Sequence, residues 1–229
     1  MPTPFKAILL DLDGTFADTA LDFIQVVNTL RAELGHPPLP SANIREKVSL
    51  GARALTALAT NLTDAHPSFD KHKERLLAIY DDINGQHARP FTGMSELIQI
   101  CGNANIPWGI VTNKPMRFAE PLMQALNLSP PAATLICPDH VSKAKPHPES
   151  LLLAAKQMGV TAEACIYVGD HERDILAGRA AGMHTLAALY GYIDATEAPE
   201  RWGHDAALHA SEEIVSHAKR LLFSFSANS

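Results

Sequence analysis

Two spacings of apolar residues divide the chain. An apolar run, Ala7 to Leu10, drives into Asp11 and Asp13 and closes on Gly14 and Thr15. Its length and turn residues predict a strand buried on both faces of a parallel sheet, although periodicity alone leaves a buried helix open. The spacing then changes. Leu21, Ile24, Val27 and Leu30 recur at helical intervals behind Asp18 and Thr19, which can cap a helix, and Gly35 with Pro37 and Pro38 stops it. Ile44 to Thr60 and Phe69 to Ile83 predict two more helices, and nothing between Ala17 and Asn84 reads as a strand.

From Phe91 the two spacings alternate. Met94 to Cys101 predicts a helix, Trp108 to Val111 a strand, Arg117 to Leu126 a helix and Ala133 to Cys137 a short strand. Glu149 to Met158 predicts a helix, Cys165 to Val168 a strand running into Gly169 and Asp170, and Ile175 to Ala181 a helix ended by Gly182. Thr185 to Leu189 predicts a strand. Ser211 signals the start of a closing helix over Glu212 to Phe223. The tail Ser224 to Ser229 reads as frayed, and Tyr190 to Leu208 carries no legible pattern. Alternation of this kind belongs to an α/β protein with a parallel sheet. The early helical block is then an insert, leaving the sheet near Thr15 to Thr19 and returning near Gly85 to Pro90.

Composition narrows the partners. The 229 residues are 46% hydrophobic, ordinary for a globular fold, and carry a net charge of −6. Without a Lys/Arg block there is no surface for nucleic acid or an anionic membrane, so a small molecule is the expected partner. Cys101, Cys137 and Cys165 are widely spaced, with no Cys-x-x-Cys, and read as buried free thiols of a reducing, cytoplasmic compartment. No signal peptide and no apolar run of membrane-spanning length is expected.

The chemistry gathers where the strands end. Asp11 and Asp13 follow the first strand, Thr112 follows the second, and Asp170 with Asp174 follows a later one. In open α/β sheets ligands bind outside the carboxyl ends of the strands. Residues two apart in an extended segment share a side, so Asp11 and Asp13 repel unless a cation or proton lies between them. Magnesium, a hard oxygen-seeking cation, suits Asp11, Asp170 and the main-chain carbonyl of Asp13, with Asp174 in support. Each residue also has a plainer reading: Asp170 as a helix cap, Asp174 as solvent-facing, Thr112 and Asn113 as a cap, Lys145 as a loop lysine. A hydroxyl and N–H groups at a helix start are equally an anion site, and the prolines around Lys145 hold its ammonium in place. Arg53, at the start of a helix after Ser49 and Gly51, could reach a carboxylate or a sugar oxygen, although a solvated helix arginine is its plainer reading. His147 and His171 read as surface histidines.

Taken together, DLDGT (Asp11 to Thr15), VTN (Val111 to Asn113), KPHP (Lys145 to Pro148) and GDHERD (Gly169 to Asp174) resemble the four motifs of the haloacid dehalogenase superfamily. The resemblance implies a Rossmann-like core, residues 1–16 and 88–229, with helices on both faces and an all-helical cap over 17–87. It implies Asp11 as nucleophile, Asp13 as general acid/base, and Thr112, Asn113, Lys145 and Gly14 around the phosphate. Asp11, Asp170, the Asp13 backbone and Asp174 would then serve Mg2+. Members that cleave halide lack the second aspartate, so Asp13 favours phosphate. The phrases AGRAAGM, TNKP and YGYI resemble the phosphoglycolate phosphatase group, and within it the bacterial branch acting on N-acetylmuramic acid 6-phosphate. The expected enzyme is a phosphomonoesterase acting on a small phosphate ester, as a monomer or homodimer. A sugar-phosphate mutase of the β-phosphoglucomutase type shares these features, and a phospho-signalling receiver domain is the alternative outside enzymes.

Overall fold

The computed structural model describes residues 5–223. Its centre is β1 (Ala7–Leu10), in which every residue is buried. Alternation along this strand feeds two layers: Ile8 and Leu10 join one apolar cluster, and Ala7 and Leu9 join the other. The first cluster is completed by α5 (Met94–Asn103), α6 (Met116–Leu126) and α9 (Glu213–Phe223). The second is completed by α7 (Glu149–Gln157) and α8 (Glu172–Ala180).

Beside β1 lie β4 (Trp108–Val111) and then β5 (Thr134–Ile136); on its other side follow β6 (Cys165–Gly169), β7 (His184–Ala188) and β8 (Ala206–Leu208). All five pairings are parallel. Numbered among themselves in chain order, the six strands run 3-2-1-4-5-6, the doubly wound order that opens a crevice between the first strand and the fourth. Here that crevice lies between β1 and β6.

The insert packs on itself. Helices α1 (Ala20–Glu33), α2 (Ser41–Arg45), α3 (Ala52–Thr60) and α4 (Phe69–Ile83) close around Val27, Leu30, Leu55, Leu76 and Tyr80, with Phe118 of α6 reaching in from the sheet side. Both crossings meet in a short antiparallel pair, β2 (Ala17–Asp18) with β3 (Arg89–Pro90). The buried Asp22 carboxylate secures this neck by accepting from the N–H groups of Gly85 and His87, each at 2.9 Å.

Four expectations need correction. The helix expected over 44–60 is broken into α2, a 3-10 turn at Val48–Leu50, and α3. Gly51, at φ +82° and ψ −175°, takes an extended positive-φ conformation that a continuous helix cannot contain. Leu21 is 58% exposed, and α1 instead buries Ala20, Val26, Val27 and Leu30. The insert is not free of strand, because Ala17–Asp18 pairs across the neck. The stretch from Tyr190 to Leu208 contains β8, too short and too alanine-rich to register as a pattern. The tail Ser224 to Ser229 lies outside the described residues.

Gly178 shows how closely α8 rides on the sheet. A Cβ there would stand 2.6 Å from Thr185 Cγ2 and 3.2 Å from Tyr167 Cδ1. Helix propensity alone favours alanine over glycine by about 1 kcal/mol, whereas overpacking a fixed core costs about 1–3 kcal/mol. The packing term wins, so Gly178→Ala lowers stability by about 1 kcal/mol in urea unfolding; a gain would show that α8 can lift away.

Candidate active site

Each chemical residue takes its place from the end of a buried strand. Asp11 leaves β1 with its N–H still bonded to the Val168 carbonyl (2.9 Å), and Thr112 leaves β4 with its N–H on Ile136 (2.9 Å). Asp170 follows β6, and Asp174 sits in the first turn of α8. Parallel strands thus deliver them to one sheet edge.

Lys145 ties that edge together. Its ammonium, buried to 1% exposure, donates to Asp11 Oδ1 (2.8 Å) and Asp174 Oδ1 (2.7 Å), and lies 2.9 Å from both the Val111 carbonyl and the Tyr167 hydroxyl. Asn113 holds the loop: its amide donates to the Lys145 carbonyl (2.9 Å) and accepts the Lys145 N–H (3.1 Å). Both ends of the Asn113 side chain are therefore spent on the chain around Lys145, although the residue lines the same cavity. Burial disfavours the ammonium, but Asp11 and Asp174 outweigh that cost and raise its pKa.

Asp11 and Asp13 line the same cavity but are neutralised separately. The strand ends at Leu10, and each carboxylate beyond it has its own lysine. Lys114 donates to both oxygens of Asp13 (2.9 and 3.2 Å), and the Thr19 hydroxyl donates to Oδ1 (2.7 Å). The Lys114 ammonium also stands 4.9 Å from the Phe23 ring centre and 4.7 Å from that of Tyr80, both on the insert. Thr112 is buried, its hydroxyl accepting the Lys114 N–H at 3.1 Å.

Of the groups expected to serve a cation, Asp11, Asp170 and Asp174 come together. Oxygens of Asp11, Asp170 and Asp174 lie within 4.8 Å of one another. Burial pushes Asp11 up to about 6 against the pull of Lys145; burial, then the charges of Asp11 and Asp174, push Asp170 up to about 7. Three clustered carboxyls, two of them paired with one ammonium, make a hard oxygen site short of positive charge, the donor set a divalent cation satisfies. Asp170 Oδ1 accepts from Thr15 Oγ1 (3.2 Å), and its Oδ2 accepts from Tyr192 N and Ser49 Oγ, both at 2.9 Å. Gly14, at φ +81°, has no space for a side chain, since a Cβ would fall 2.2 Å from Asp170 Oδ2. It makes room for that carboxylate and does not line the cavity.

Arg53 is a correction. Its guanidinium pairs with Asp64 at 2.7 Å on the surface and lies outside the cavity lining. His171 is a second one: it is no surface histidine but the cap of α8, accepting the Arg173 N–H and stacking on Trp202, and burial lowers its pKa. Sequence reasoning also passed over Lys114, Tyr167, Arg173 and Tyr192. Lys114 had a signal, standing next to Thr112 and Asn113. Tyr167 reads as core, and Tyr192 lies in the stretch without pattern.

Above the sheet edge a cavity of about 360 Å³ is bounded by Asp11, Asp13, Thr112 and Lys145 below and by Phe23, Tyr80 and other insert residues above. Fold and site together define a doubly wound α/β protein that gathers buried carboxylates and lysines at its topological switch point. The model of the haloacid dehalogenase-like hydrolases matches residues 8–188. The chain is 42% identical over 217 residues to N-acetylmuramic acid 6-phosphate phosphatase of Pseudomonas aeruginosa, covering 95% of this chain and 96% of the relative. It is 40% identical over 215 residues to phosphoglycolate phosphatase of Xanthomonas campestris pv. campestris, covering 91% and 94%. A crystal structure of a predicted phosphoglycolate phosphatase from Haemophilus somnus superposes with a TM-score of 0.81 at 20% identity, over 95% of this chain and all of that one. The chain belongs to the haloacid dehalogenase-like hydrolases, in their phosphoglycolate phosphatase group, and is a phosphatase. Among the described residues no helix is long and apolar enough to cross a membrane.

Removing one partner from a buried ion pair costs about 3–5 kcal/mol because the other charge stays behind. Lys145→Met should approach that loss in chemical unfolding. Lys114→Met should cost clearly less, because Asp13 keeps Thr19 and is 15% exposed. Equal losses would show that the Lys145 cluster is not the tighter one.

Proposed function

We propose that the chain is a magnesium-dependent phosphomonoesterase working through an aspartyl-phosphate on Asp11, with N-acetylmuramic acid 6-phosphate as its substrate. The observation that carries the reading is the Lys145 ammonium bonded to Asp11 and Asp174 while Asp170 completes a carboxylate cluster at the sheet edge. Asp11, Asp170 and Asp174 would hold the cation. When bound, Mg2+ neutralises charge on the phosphate oxygens.

The remaining steps belong to the chain's own groups. An Asp11 carboxylate oxygen attacks phosphorus as the bond to the ester oxygen breaks, so one difficult displacement becomes two easier ones. Asp13 gives the leaving alkoxide a proton and takes one back from the water that cleaves the aspartyl-phosphate. Lys114 and Thr19 hold that carboxylate in place. Lys145 and Thr112 face the transferring oxygens, where fixed donors stabilise developing charge most effectively. Helices α1 to α4 act as the cap, covering the reaction with Phe23 and Tyr80.

Identities of 42% and 40% do not separate the two substrates named among the relatives. The cavity wall supports the larger one. Phe23, Leu77, Tyr80 and Phe118 give it apolar surface, and Arg117 also lines it. Phosphoglycolate offers a single methylene to such a wall, whereas an N-acetylated sugar with a lactyl ether offers methyl groups to cover it and a carboxylate for the arginine.

Asp11→Asn should cut hydrolysis of p-nitrophenyl phosphate by more than about a thousandfold, as loss of a nucleophile does. Retained turnover would remove Asp11 from that role. For the wild type, kcat/KM on N-acetylmuramic acid 6-phosphate should exceed that on 2-phosphoglycolate by at least about tenfold, the discrimination a few apolar contacts provide. The reverse order would assign the smaller substrate. Release of inorganic phosphate, rather than an isomerised sugar phosphate, separates hydrolysis from a mutase.

A further inference from the structure

The Asp170 carboxylate has three hydrogen-bond donors, and they come from different parts of the molecule. Thr15 and Tyr192 belong to the sheet domain; Ser49 belongs to the insert, in the 3-10 turn that interrupts its helices. Ser49 is gripped on both sides, its hydroxyl donating to Asp170 Oδ2 at 2.9 Å while its carbonyl accepts from Arg173 Nη2 at 2.8 Å. The turn is pressed onto the sheet domain by its neighbours. Arg45, held by both oxygens of Asp18 at the neck (3.1 Å each), lies 4.8 Å over the Tyr192 ring, and Lys47 pairs with Asp194. Gly51 at φ +82° then turns the chain into α3.

The geometry points to Ser49 as a positioning residue for Asp170, one that makes cation affinity depend on where the cap sits. This rests on the proposed magnesium reading. With the cap down, Asp170 has all three donors and one orientation. With the cap lifted, it loses the donor to Oδ2 that the sheet domain does not supply, and the carboxylate is freer to turn. Coupling of this kind is reciprocal: whatever closes the cap tightens the cation site by some factor, and the cation closes the cap by the same factor. Metal and cap are then linked directly, without the substrate between them.

Mn2+ is the probe, with the free ion counted by electron paramagnetic resonance and no turnover required. Asp170→Asn should remove the wild-type binding. Ser49→Ala should weaken it about tenfold, in the range that loss of a residue supporting a metal ligand produces, and Ser49→Thr, which keeps the hydroxyl, should restore it. Lys47→Met touches no carboxylate of the cluster; it should weaken Mn2+ when Ser49 is present and have no effect in the Ser49→Ala background. If Asp170→Asn leaves Mn2+ binding unchanged, the magnesium reading itself fails. If that variant abolishes binding but Ser49→Ala binds like wild type, or Lys47→Met has the same effect in both backgrounds, the link through Ser49 is overturned and the magnesium reading stands.

Discussion

A lysine ammonium with almost no solvent is the constraint on which the sheet edge depends. Three N–H groups of Lys145 face four acceptors, drawn from the end of β1, the last carbonyl of β4, a tyrosine inside β6 and the first turn of α8. A buried charge is tolerated only when its partners are in place, because desolvation costs several kcal/mol before any pairing is gained. Strand register, the approach of α8 and the Asn113 clasp must therefore all be correct together. The close passage of Gly169 beneath Asp174, where a Cβ would fall 2.2 Å from the aspartate Cβ, belongs to the same requirement.

The insert solves a different problem. It has an apolar core of its own, yet its aromatic residues also serve the site, since Phe23 and Tyr80 stack at 4.5 Å and present their faces to the Lys114 ammonium. An ammonium beside aromatic faces gains about 0.5–2 kcal/mol, more as water leaves. Asp13 and its lysine are thus partly desolvated by residues from the other lobe of the chain.

Most of the scaffold was legible because buried parallel strands and amphipathic helices leave strong periodic marks. Trp108–Val111 and Phe69–Ile83 match the expected limits residue for residue. What escaped was carried by geometry that has no period. Gly51 breaks a helix through one dihedral, β8 is three residues long, and Tyr192 lies in a stretch of loops. In the site, Asp11, Asp170 and Asp174 could be read because carboxylates after buried strands are costly without a purpose. The separate lysine partners of Asp11 and Asp13 could not, because Lys145 and Lys114 reach them from distant points of the chain. Arg53 misled for the opposite reason: an arginine beside a turn looks the same in sequence whether it faces a cavity or the surface aspartate it pairs with.

The two-stranded neck has a consequence for how such a chain can vary. Pairing of Ala17 with Pro90 brings both ends of the insert to within one strand spacing of each other, roughly 5 Å. To the sheet, everything between those ends is a closed loop, and loop-closure cost rises only with the logarithm of length, about 0.6 kcal/mol for each doubling. The sheet is therefore nearly indifferent to the size of what is hung on it. An excursion half as long or twice as long could replace this one without disturbing the register of β1 against β4 and β6, so the two lobes are free to diverge at different rates.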